Sequence, residues 1–318
     1  MWISPYKYVL SLGHLCSDIN QSILSAVLPF LIATYHYDYT TAAMLVTVSN
    51  VFGAFVQPFI GMLSDKKNKL LYMTLGVLLA SGGMAVTGFI SNFFGLCIVV
   101  IISGIGVVMF HPQAAKLVNS VSSKNAKGKG MSIFSFGGKV GFTLGPVYTA
   151  FLMNLFGMKG TILFLIPGIV FGIVCSFFNK DFENLDVLEV EKKEKVKSEQ
   201  KDYWSGFIKL CCVVFSRSIL SNGISTFLAF YFIQQFSKSN SFASMLLSVF
   251  YGIGSITLLG GGIADCFGHR KMVRLSFCIF LPAIFIFTNT SHFVIALIML
   301  IFMTCGESLS YSPMVVLG

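Results

Sequence analysis

"SLGHLCSDINQSILSAVLPFLIA", residues 11–33, decides how this chain is read. The stretch is apolar and long enough to cross a bilayer, since a helix spans the hydrocarbon in about 20 residues. Yet it carries His14 and Asp18 four residues apart, and Gln21 and Ser25 follow at spacings of three and four. On a helix these positions share one face, so a polar stripe runs down an otherwise greasy cylinder. A charge facing lipid at mid-bilayer costs about 3 kcal/mol at the least. The stripe is therefore expected to face protein or water. Asp18 can take up and release a proton, and His14 can share it near neutral pH. The pair is a candidate proton carrier. The plainer alternative is a satisfied His–Asp contact that only pins helices together.

The rest of the chain has the same character. Its 318 residues are 55% hydrophobic and 11% charged, with mean hydropathy +0.80, where a soluble domain carries about 25% charged residues. Ten segments qualify as spans: 9–34, 41–63, 70–90, 93–117, 129–154, 160–179, 206–234, 242–264, 271–289 and 292–316. Residues 180–205 mix lysines with acids and cannot enter the bilayer, so they are expected to form a solvated cytoplasmic linker. The expected organisation is a six-helix half over 1–179, the linker, and an incomplete four-helix half over 206–318. The eight cysteines show no CxxC and no histidine at ligand spacing. They read as small buried hydrophobes, with no metal or cofactor implied.

The net charge of +9 is mostly a topology signal. With a cytoplasmic amino terminus, the inner loops hold Lys66, Lys67, Lys69, Lys116, Lys124, Lys127, Lys129 and the linker lysines, and Arg270, Lys271 and Arg274. The outer loops hold only Lys159 and Lys238. That is the positive-inside pattern, and it leaves no case for nucleic-acid binding.

Two short stretches repeat. "GMLSDKKNK" from Gly61 and "GGIADCFGHRK" from Gly261 each follow an even-numbered span, so Gly61 and Asp65 align with Gly261 and Asp265. Each Asp precedes a basic cluster, Lys66 in the first and Arg270 in the second. A duplicated half points to a secondary transporter. The glycine permits close helix approach, and the aspartate can cap the next helix.

This loop pattern resembles the gating-loop motif of the major facilitator superfamily. "GHLCSDINQSILSAVLPFLIA", "QPFIGMLSD", "GIGVVMFHPQAA", "MSIFSFGGKVGFTLGP" and "RSILSNGISTFLAFYF" resemble its fosmidomycin-resistance branch. The resemblance implies an all-α membrane bundle of two pseudo-symmetric halves, with ten of twelve helices present. It also implies a monomeric proton-driven antiporter that exports antibiotic-type small molecules across the cell inner membrane. Lys139 stands where a neutral amide is expected in relatives.

The other buried ionisable residues are His111, Lys139, Arg217 and Glu307, in spans 4, 5, 7 and 10. By the resemblance, spans 1, 4, 7 and 10 line the central cavity. His14, Asp18, His111 and Glu307 are then candidates for proton coupling, and Gln21, Ser25, Lys139 and Arg217 for the cavity wall. Asp18 is expected to pair with Lys139 or Arg217 when unprotonated. Arg217 and Glu307 equally suit a static bridge between helices. Gly137, Gly141 and Gly145 followed by Pro146 leave a smooth groove and a bend for close packing. "GFTLGP" also resembles the antiporter motif of drug exporters. Two other readings stand beside the exporter: a truncated remnant that does not transport, and an intramembrane enzyme using His14 and Asp18, for which no nucleophile motif is present.

Overall fold

The computed structural model describes residues 6–64, 69–121, 127–178, 204–256 and 268–309. By contacts the chain divides into two compact units, Met1–Ser198 and Glu199–Gly318. In the first unit lie α1 (Tyr6–Tyr35), α2 (Tyr39–Ser64), α3 (Lys69–Val86), α4 (Phe93–Ser120) and α5 (Lys127–Phe156). A 3-10 segment, Gly157–Leu165, follows α5, and its helical continuation covers 166–178. In the second unit lie α6 (Trp204–Phe236), α7 (Asn240–Ile256), α8 (His269–Asn289) and α9 (Phe293–Leu309). Among the described residues seven helices are long and apolar enough to cross a membrane.

The described residues thus form nine α-helices where the sequence reading expects ten spans. The difference falls at the sixth. After Gly157, whose φ of +57° turns the chain, the backbone winds as a 3-10 helix to Leu165 before regaining α geometry. Tighter i→i+3 winding makes that stretch a connector with a helical tail. The linker over 180–203 and the ends of the eighth and tenth expected spans, past 256 and 309, lie outside the described residues.

The turns have local causes. His36 ends α1 with φ at +56° while its N–H bonds the Ile32 carbonyl. Asp38 starts α2 by accepting from the Thr41 N–H at 2.8 Å. That bond and the Thr41 side chain hold the Asp38 carboxyl below the usual range. Asn92 caps α4 in the same way on the Gly95 N–H, at 2.6 Å.

In the first unit α1 is the central helix. Of its most apolar window 78% is buried, against 22% for α2, which is peripheral. Leu10, Met73, Phe110, Leu117 and Phe171 fill the core around it. The groove expected on α5 is used there. A Cβ at Gly137 or Gly141 would collide with the Ser11 or Leu15 carbonyl, and one at Gly145 with the Ser22 hydroxyl. Glycine alone lets α5 lie against the α1 backbone.

Candidate functional site

The site of the first unit gathers on α1 and α4. Asp18 is buried, and its two carboxylate oxygens each meet an imidazole. His14 Nε2 lies 3.2 Å from Oδ2, one turn back on the same helix. His111 Nε2 lies 2.9 Å from Oδ1, across from α4. The side chains of Asp18, His14 and His111 are 4%, 13% and 32% exposed, so His111 is the most exposed of the three.

Backbone carbonyls fix both rings. His14 Nδ1 sits 2.8 Å from the Phe134 carbonyl of α5, and His111 Nδ1 sits 2.9 Å from the Val107 carbonyl of its own helix. The Phe134 ring stacks on His14 at 4.0 Å, and the two imidazoles meet edge-on at 5.0 Å. Gly138 closes the cage. A Cβ there would lie 2.5 Å from Asp18 Oδ2 and 2.6 Å from His14 Nε2. One ring nitrogen of each histidine and one Asp18 oxygen lie within 4.8 Å of one another.

The structure brings together His14, Asp18 and His111 as one group. Asp18 pairs with these two histidines. Lys139 is half-buried on α5. The rest of the α1 stripe separates, with Ser25 buried and Gln21 exposed. In the second unit Arg217 of α6 forms an ion pair with Glu307 of α9, and both are largely buried. Ser308 Oγ adds a bond to Glu307 Oε2 at 3.3 Å. A separate apolar cavity of about 280 Å³ opens among α6, α8 and α9 beside Phe227, Tyr231, Phe287 and Met303.

Of the loop motif, Gly61 sits in the last turn of α2. Asp65, Lys66, Gly261 and Asp265, and the side chain of Arg270, lie outside the described residues.

Some of the machinery escapes a reading by stripes. Asn20 donates to the Cys16 carbonyl and to Ser81 Oγ, both at 2.8 Å, and so clamps α1 to α3. Gln113 is fully buried two residues after His111, with no hydrogen-bond partner for its amide among the described residues. Gly138 was legible only as half of a "GG" pair.

This fold defines a multi-pass helical membrane protein of transporter type. Residues 10–318 match the Major Facilitator Superfamily, and the chain belongs to that family. It is 23% identical over 276 residues to the fosmidomycin resistance protein of Escherichia coli, covering 83% of this chain and 66% of that protein. Against the multi-drug resistance efflux pump PmrA of Streptococcus pneumoniae it is 25% identical over 248 residues, covering 74% and 60%. The chain thus spans about two thirds or less of these relatives' length. A bacterial homologue of the human lysosomal transporter Spinster, inward-facing and occupied, shares the fold with a TM-score of 0.80 at 15% identity. That match covers 98% of this chain and 73% of the homologue. A D-xylose–proton symporter gives a TM-score of 0.76 at 15% identity, covering 98% and 81%. The family is one of transporters, and the enzyme reading is set aside.

Proposed function

We propose that this chain is a proton-coupled secondary transporter that exports small, antibiotic-like molecules by alternating access. It works as a monomer in the cell inner membrane, with its amino terminus cytoplasmic. The observation that carries the reading is the buried His14–Asp18–His111 group. An ionisable cluster in a spanning helix persists where it carries ions or lines their path. Here it also joins two different helices, so the state of its protons decides how strongly α1 and α4 hold together. The similarity to a fosmidomycin resistance protein and a drug efflux pump supports the outward direction and the cargo class. A half-buried cation such as Lys139 suits an anionic cargo. The loop motifs at Gly61–Lys66 and Gly261–Arg270 then serve as cytoplasmic gates between half-domain movements.

The test is efflux of fosmidomycin from cells of a sensitive host expressing the chain. We expect efflux that a protonophore abolishes and that Asp18→Asn removes while the protein remains in the membrane. Protonophore-insensitive efflux, or full efflux by Asp18→Asn, overturns proton coupling. Fosmidomycin sensitivity equal to that of cells lacking the chain overturns this cargo.

A further inference from the structure

Hydrogen-bond accounting around Asp18 fixes how many protons the trio holds. A backbone carbonyl can only accept, so the Nδ1 atoms facing Phe134 and Val107 both carry hydrogens. In a neutral imidazole the other nitrogen, Nε2, is then a bare lone pair. Both Nε2 atoms face oxygens of one carboxylate, at 3.2 and 2.9 Å. Lone pair against lone pair at those distances is repulsive. Each contact becomes a hydrogen bond only when a proton lies in it.

We propose that this geometry is a two-proton state: the trio holds two protons beyond those of one carboxylate and two neutral imidazoles, and losing one of them opens the α1–α4 contact. The inference rests on the proton-coupled reading above and supplies its count. Both protons can sit on nitrogen, facing an ionised Asp18. Alternatively one can sit on Asp18, which then donates to a neutral ring. The total is the same, and so is the net charge of +1 on the group.

The loss is ordered by exposure. The first loss falls at His111, whose side chain is 32% exposed against 13% for His14, which Phe134 covers on one face. Transfer of the Nε2 proton of His111 to water leaves Nε2 and Oδ1 as two acceptors 2.9 Å apart. The pair separates, and with it goes the ion contact that joins α1 to α4 at this site. The His14–Asp18 bond, within α1, survives until the second proton leaves. Proton release is therefore coupled to helix separation within the first unit. Other titratable groups on the surrounding elements are Tyr6, Lys7, Tyr8, Cys16 and Tyr35 on α1 itself, Asp38 and Tyr39 at the start of α2, Lys69 and Tyr72 on α3, Cys97 and Lys116 on α4, Lys127, Lys129, Lys139 and Tyr148 on α5, and Cys175 on the 166–178 tail. Cys16 and Cys175 lie in the apolar core, and the Tyr148 hydroxyl donates to the Leu163 carbonyl.

The experiment counts protons on the whole chain in lipid nanodiscs, stripped with a chelator and checked for residual metal. Histidine labelled with ¹⁵N in the ring gives the state of each nitrogen between pH 5 and 9, and a ¹³C-carboxyl label reports Asp18. The five histidines are assigned with His14→Gln and His111→Gln. We expect two trio protons on the acid side, released in two steps with His111 first. In His111→Gln the amide donates to Oδ1 without titrating, so a single step remains. Lys116→Met and Lys139→Met should keep both steps. A count of one overturns the two-proton state and leaves proton coupling standing. A count of zero across the range, or a metal ion retained by the trio after chelation, overturns both. Release by His14 before His111 overturns the opening of the α1–α4 contact.

Discussion

Gly138→Ala isolates the trio from the fold that carries it. Its new methyl would meet Asp18 Oδ2 at 2.5 Å and His14 Nε2 at 2.6 Å, where ordinary contact begins at 3.4 Å. The side chains must retreat by about 0.9 Å, because overlap that deep is steeply repulsive. The His14–Asp18 contact is already 3.2 Å long, so that retreat carries it out of hydrogen-bonding range. A hydrogen bond to a charged group contributes about 1.5–3 kcal/mol. Alanine recovers about 1 kcal/mol over glycine inside a helix. The net loss is about 0.5–2 kcal/mol, which is a few degrees of thermal stability and about a tenfold loss of trio function. Both colliding atoms are ends of side chains, so α5 keeps its seat and the variant folds. The assay is proton-driven fosmidomycin uptake into inside-out vesicles, with Gly82→Ala as control, since a Cβ at Gly82 meets nothing within 4 Å. Wild-type uptake by Gly138→Ala, with unchanged His14 ring signals, would refute the reasoning.

Three further outcomes follow from the packing. Gly141→Ala sets a methyl against the Leu15 backbone, which cannot yield as a side chain does, so the purified protein should melt several degrees lower than Gly138→Ala. Arg217→Met strands a largely buried Glu307 and should cost about 3–5 kcal/mol, while Arg217→Met with Glu307→Leu recovers most of the loss; equal melting temperatures for single and double variants would remove the pair's role. Asp38 caps α2 with a carboxyl held below its ordinary range, so its contribution is present above the unfolded pKa and lost as pH falls through the folded one. Asp38→Asn keeps a capping oxygen and should flatten that acid limb in a melting curve taken below about pH 4.

Spacing carried the sequence reading far where one helix decides the matter. The His14–Asp18 contact is an i, i+4 pair and so is fixed by α1 alone. The glycines of α5 were legible for a similar reason, since a four-residue repeat defines a groove whatever fills it. His111 could be named as an awkward residue in a greasy span, but not as Asp18's partner. Which helix lies beside α1, and at what height, depends on tertiary packing. Spacing offered cationic Lys139 and Arg217 as counter-ions for Asp18, and the histidine partners came from packing. An imidazole held by a backbone carbonyl does the same work, and no spacing rule reports a carbonyl. Gln21, on the same stripe, is exposed, as a residue that faces water can be. The sixth span failed because apolar length does not distinguish an α-helix from a 3-10 segment running into one.

The two units repeat one device with different chemistry. In the first, Asp18 and His111 tie helix α1 to α4; in the second, Arg217 and Glu307 tie α6 to α9. Each is a contact between the first and the fourth long helix of its unit. Arginine does not give up its proton in proteins, so the second contact stays charged on its cationic side. The first depends on a histidine, whose charge changes within the physiological range. On the proposal above, one clasp is permanent and the other is controlled by protons. His111→Arg would turn the first into a copy of the second. The wild-type α1–α4 contact requires a proton between His111 and Asp18, so its contribution to stability is present at low pH and lost as pH rises. The variant should keep its contact throughout, with a melting temperature that no longer falls between pH 6 and 9, and fosmidomycin efflux should cease because the clasp cannot open. A His111→Arg protein that still exports, or that melts with the wild-type dependence on pH, would mean that the α1–α4 contact is not what the protons control.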